Sequence, residues 1–199
     1  MVAVITGDII NSREGNVEDW LGYLKEVLNR YGQEPSQWEI FRGDSFQLSL
    51  SPENALLAAI HIKAGIKQTK AQDVRIAIGL GQETHRAKKI TESNGSAYAL
   101  SGECFESLKK QTLAIRSANP ELDEVLNLML SLSLLTTNNW SSIVAQTVKV
   151  ALENPEWHQK EIAKLLNKSQ SSVSEALKRG GFEEIMNLNS FYQMKISNL

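Results

Sequence analysis

The sequence predicts an α+β fold in two parts: a ferredoxin-like sheet domain over residues 1–119, then an all-helical domain over residues 120–199. Three observations predict it. Runs with strand and helix spacing follow one another as β-α-β-β-α-β, the split βαβ order, as far as Ile115. From Pro120 onward every apolar repeat has helical spacing. Residues 159–177, QKEIAKLLNKSQSSVSEAL, have the spacing of a helix-turn-helix.

Each element has its own signal. Residues 2–6 are a short apolar run that stops at Gly7-Asp8, as a buried strand would. Asn16 is a plausible cap for a helix with Val17, Trp20, Leu21, Leu24, Val27, Leu28 and Tyr31 on one face, ended by Gly32. Trp38 and Ile40, then Phe46, Leu48 and Leu50, alternate on either side of Arg42-Gly43-Asp44-Ser45, which predicts a hairpin with a polar tip. Ser51-Pro52-Glu53 opens a second helix with Ala55, Leu56, Ala59, Ile60 and Ile66 inward. Residues 74–80 read as a strand, 97–108 as a third helix and 113–115 as a short strand. The remaining helices are marked by Leu122, Val125, Leu126, Met129 and Leu132, by Ile143, Val144, Thr147, Val148 and Ala151, and by Phe182, Ile185, Met186, Phe191 and Met194.

In the helix-turn-helix segment, Ile162 and Leu166 face the core and Ala163 is small where two helices cross closely. Asn167 tolerates the left-handed backbone of a tight turn. Ser169 caps the second helix, which Val173 and Leu177 bury. Lys168, Ser169, Gln170, Ser171, Ser172, Ser174, Glu175, Lys178 and Arg179 are then the candidate DNA-binding residues, because short polar side chains at the start of such a helix suit base edges in the major groove. The plainer reading is a helical hairpin with a solvated polar face. Double-stranded DNA is the first partner expected, with a homodimer reading two half-sites.

Composition bounds the rest. The 199 residues, 42% hydrophobic and 22% charged, are those of an ordinary globular protein with room for one large domain or two small ones. No apolar run reaches membrane-spanning length and MVAVITGD has no leader-like character, so a cytoplasmic location without membrane contact is expected. One cysteine, Cys104, excludes an intramolecular disulfide. The net charge of −2 neither demands nor excludes nucleic acid, but Lys160, Lys164, Lys168, Lys178 and Arg179 gather in the helix-turn-helix segment.

Two acidic residues suggest a second site. Asp8 follows the first strand and Asp44 sits at the hairpin tip, on strands that neighbour one another in a split βαβ sheet. Two carboxylates at one sheet end are the minimum for Mg²⁺ or Mn²⁺ with a bound nucleotide. Backbone amides of Ile9, Ile10 and Asn11 would offer N–H groups to phosphate, with Arg42 and Lys88 as candidate phosphate contacts. The plainer alternative makes both aspartates turn residues.

Gly7-Asp8-Ile9-Ile10-Asn11-Ser12 resembles the metal-binding loop of class III nucleotidyl cyclases. Arg42-Gly43-Asp44-Ser45-Phe46 resembles their hairpin and the GGDEF hairpin of diguanylate cyclases. With RIAIGLG, NGSAYA and QKEIAKLLNKSQSSVS following in order, the whole chain resembles the SatD family of small bacterial proteins. That resemblance implies a nucleotidyl-cyclase-like, palm-like domain joined to a C-terminal helix-turn-helix. The catalytic helix of the cyclases departs, however: Ala99 stands where their ribose-orienting Asn belongs and Glu103 where their Arg belongs, and Ser45 replaces the acidic residue of GGDEF. Familiar cyclase chemistry is therefore not expected. The expected function is a DNA-binding transcriptional regulator with a degenerate cyclase-like sensor. The alternatives are a metal-dependent nucleotidyl or phosphoryl transferase using Asp8 and Asp44, and a protein-binding adaptor.

Overall fold

The computed structural model describes residues 1–197 as a mixed α/β protein with a five-stranded sheet and, among those residues, eight α-helices. Strand β1 (Val2–Ile10) leads to helix α1 (Val17–Tyr31), which Asn16 caps by accepting the Glu18 N–H at 3.1 Å. The hairpin β2 (Trp38–Phe41) and β3 (Ser45–Leu50) turns through Arg42 and Gly43, both at positive φ. A 3-10 turn at residues 52–54 precedes α2 (Ala55–Ile66), and β4 (Asp73–Gly81), α3 (Ser96–Ser107) and β5 (Leu113–Arg116) complete the sheet region. The helices α4 (Pro120–Thr137), α5 (Ser142–Glu153), α6 (Gln159–Leu165), α7 (Gln170–Arg179) and α8 (Phe182–Ile196) follow.

The strand order is β2-β3-β1-β4-β5. The first four strands are antiparallel to their neighbours, and β5 joins parallel to β4 after the α3 crossover. Because side chains alternate along a strand, the two sheet faces are distinct. Ala3, Ile5 and Ile9 of β1 and Val74, Ile76, Ile78 and Leu80 of β4 share a core with Leu24, Val27 and Leu28 of α1 and with α2. The opposite face lies under α3, where Ala77 and Ala114 meet Cys104 and Leu108. Gly79 is the contact point. A Cβ there would drive into the Ala97 carbonyl oxygen and the Ser101 amide nitrogen, so only glycine lets the α3 backbone settle on the strand.

Two expectations need correction. The first strand does not stop at Thr6; it runs through Gly7-Asp8 to Ile10, because β3 and β4 pair with both of its edges over that length. Nor is α2 amphipathic. It is buried all round, Lys63 and His61 included, since α5 and α8 cover the side turned away from the sheet. The apolar residues of α4, α5, α7 and α8 continue the core that α2 shares with the sheet. At the β5 edge, Asn127 of α4 accepts the Ile115 N–H at 2.9 Å and donates to the Ile115 carbonyl at 2.8 Å.

Candidate functional site

Adjacent strands do bring Asp8 and Asp44 to one end of the sheet. Asp8 lies opposite Ser45 on β3 and Arg75 on β4, on the face that carries α3. There Arg75 closes a two-pronged ion pair on it, Nε to Oδ1 at 2.9 Å and Nη2 to Oδ2. The guanidinium also stands 5.2 Å from the Phe105 ring centroid. The hydrogen bonds to Asp8, more than any other cause, hold the guanidinium above its already high pKa. Asp44 accepts the Ser12 hydroxyl at 2.6 Å. The register that sets Arg75 opposite Asp8 emerges only from the strand topology.

The loop that follows β1 is pinned from outside. Asn11, at φ 59°, turns the chain and donates through Nδ2 to the Ala71 carbonyl. Buried Gln72 donates to the carbonyls of Asn11 and Glu14, and the Trp20 indole donates to that of Ser12. Since Ile9 lies inside the sheet, its amide goes to the Asp44 carbonyl at 3.1 Å and is not presented to phosphate; Ile10 pairs across from Asp73. Arg42 is exposed at the hairpin tip, at the same sheet end.

Lys88 is elsewhere. Strand β4 runs antiparallel to β1, so its far end lies beside Val2, and the length from Arg75 to Gly81 is about 20 Å at roughly 3.3 Å per residue. The loop that carries Lys88 leaves from that end and is held to the β2 side of the sheet by the Ile90 N–H to the Pro35 carbonyl and the Thr91 hydroxyl to Glu39, which stands across from Gln47. Asp8 and Asp44 bond to Arg75 and to Ser12, and not to Lys88.

As a donor set for Mg²⁺ or Mn²⁺ this sheet end fits poorly. One carboxylate is neutralised by an arginine and the other is hydrogen-bonded to a serine, and a hard divalent cation wants several free oxygens. Among the described residues no group of three His, Cys, Asp or Glu side chains is placed to hold a metal ion. Cys104 is buried, and that burial pushes its thiol up to about 11, away from the reactive thiolate.

The second candidate surface is built by α5, α6 and α7. Ile162 and Ala163 of α6 pack with Val150 and Ala151 of α5 and Val173 of α7. Ala176, not foreseen as a core position, is buried in the main core, while Leu177 and Leu166 are half-buried. Between α6 and α7 the chain turns at Asn167, φ 51°, with the Lys168 N–H returning to the Ala163 carbonyl at 2.9 Å. Ser169 caps α7 by accepting the Ser172 N–H at 3.2 Å. Ser169, Gln170, Ser171, Ser172, Ser174, Glu175, Lys178 and Arg179 are all exposed, and Lys168 is half-buried with its ammonium 3.5 Å from Gln146. Arg179 lies 3.7 Å from Glu175 along the same helix, a contact that solvent screens strongly.

A mixed α/β chain with a five-stranded sheet and a set of C-terminal helices is the class that these features define. The SatD family model matches residues 1–188, and the chain belongs to the SatD family. No curated protein matches it. No helix among the described residues is long and apolar enough to cross a membrane.

Proposed function

We propose that this SatD-family chain is a DNA-binding transcriptional regulator in which α6, the Asn167 turn and α7 act as a helix-turn-helix. The observation that carries the reading is the division of α7: Val173 and Ala176 are buried while every short polar residue of its first turns is exposed. Gln170, Ser171, Ser172 and Ser174 would read base edges, and Glu175 could accept from a cytosine amino group. Lys168, Lys178 and Arg179 would contact phosphates. Two copies would read two half-sites. The antiparallel β2-β3-β1-β4 order supports a ferredoxin-like, palm-like frame for the N-terminal part, to which we assign a sensor role toward a nucleotide from the resemblance of GDIINS and RGDSF.

Selection from random duplex DNA at moderate salt tests the reading and is expected to return a shared motif. Ser171→Ala is expected to change the preferred sequence. Lys168→Ala is expected to weaken binding to all duplexes and reduce the salt slope by about 0.9 for one lost phosphate contact. Retention of no sequence above background, with Lys168→Ala indistinguishable from the parent chain, would sink it. A metal-dependent nucleotidyl or phosphoryl transferase is the weaker reading, because Asp8 would first have to give up Arg75. ATP and GTP incubated with Mg²⁺ or Mn²⁺ are expected to stay intact; turnover abolished by Asp8→Asn would reverse the ranking.

A further inference from the structure

A cavity of about 430 Å³ opens where α2, α5, α6, α7 and α8 converge. It lies at a seam. The sheet and most of the C-terminal helices share one large core, whereas Ile162, Ala163 and Val173 form a small core of their own with Val150 and Ala151. Leu177 and Phe182 are half-buried at the edge of both clusters, and both line the cavity. Leu152, packed on the large core, and Ile162 of the small one line it together, and Leu57 of α2 and Met186 of α8 add to the wall. Trp157, 41% exposed, reaches it from the turn between α5 and α6. The chemistry of the wall is uniform. Among the described residues that line it none is charged, and all but Asn154 and Gln159 are apolar. Asn154 spends its amide on the Val150 carbonyl at 2.9 Å. The side-chain amide of half-buried Gln159 and the indole N–H of Trp157 have no hydrogen-bond partner among the described residues.

We propose that this cavity binds a small uncharged ring compound carrying one group that hydrogen-bonds to the Gln159 amide or the Trp157 indole. Apolar walls of this extent standing in water favour an apolar guest, and a few unspent polar groups fix its orientation. A carboxylate, phosphate or ammonium on the guest would leave water with nothing opposite to balance it, so charged nucleotides are excluded. A guest here touches Ile162 inside the α6–α7 unit and Leu57 outside it. Binding therefore ties that unit to the rest of the molecule and stabilises the fold by mass action. The site stands apart from the DNA-binding and nucleotide readings, because it is read out with neither ligand.

N-phenyl-1-naphthylamine, an uncharged probe that fluoresces in apolar surroundings, is expected to bind the full chain saturably. It is also expected to shift the Trp157 indole N–H resonance, which Trp157→Phe identifies among those of the four tryptophans. The same rings carrying a sulfonate are expected to bind about tenfold more weakly or worse. Leu57→Trp and Met186→Trp, which fill the cavity from α2 and from α8, are each expected to abolish binding with the helical circular dichroism spectrum unchanged. The proposal is overturned by no saturable binding, by a Trp157 resonance that stays in place, by a sulfonate that binds equally well, or by full affinity in either folded filling variant.

Discussion

Glu153, at the C-terminal end of α5, gathers three nitrogens on one oxygen: Lys149 Nζ at 2.7 Å, and Arg30 Nε and His61 Nε2 each at 3.1 Å. His61 Nδ1 is in turn hydrogen-bonded to the half-buried Tyr31 hydroxyl at 3.1 Å, and burial is the main reason that this phenol is held well above its usual pKa. Burial by itself would raise the Glu153 carboxyl too, but the hydrogen bonds and charges of His61 and Lys149 outweigh it and hold the carboxyl down to about 2. A depressed carboxylate stabilises the fold above its ordinary 4.5, and that contribution is lost as pH falls from there through about 2. Its full size is on the order of 3 kcal/mol. Urea midpoints are therefore expected to drop between pH 6 and pH 3, with Glu153→Gln flattening the slope. An acid slope equal to the parent's in that variant would remove Glu153 from the account. None of this network was legible in the sequence: its members lie on three helices, and no neighbour of His61 in sequence marks its partners. The same holds for Arg75, whose partner Asp8 is 67 residues away.

The recognition element depends on its turn and its cap. Ser169→Ala removes the side-chain acceptor at the α7 N-terminus, and a loss of about 1 kcal/mol in thermal or urea unfolding is expected. A change within error would show the Ser169 hydroxyl to be spent on its neighbours Ser171 and Ser172, which it also meets. In the sheet, Gly79→Ala is expected to cost about 3 kcal/mol, the upper end for overpacking, because backbone atoms of α3 cannot step aside as a side-chain tip can. Element order and most caps were legible: Asn16, the hairpin tip and the inward stripe of α1 follow from spacing alone. Where reading failed, a neighbour decided. Pairing on both edges carries β1 past Gly7, and the cover of α5 and α8 erases the polar side that α2 would otherwise need.

At the scale of the molecule, α2 is the shared member, touching α1 and the sheet on one side and α5 and α8 on the other. The Tyr192 hydroxyl donates to the Pro52 carbonyl at 2.6 Å, and the Trp140 indole to that of Gly180 at 2.9 Å. Denaturant unfolding followed by tryptophan fluorescence and by far-ultraviolet circular dichroism is accordingly expected to give one midpoint. Two midpoints would show the C-terminal helices melting alone. The antiparallel run of β4 against β1, already implied by the split βαβ order, sends the loop that carries Lys88 off from the end of β4 opposite Arg75.

The amide of Asn127 has a consequence for life at high concentration. A bare outer strand offers its alternate peptide groups to any passing extended chain and so seeds polymerisation. By occupying both the N–H and the carbonyl of Ile115, one side chain does what an extra strand would do, and the sheet ends there rather than recruiting a neighbour.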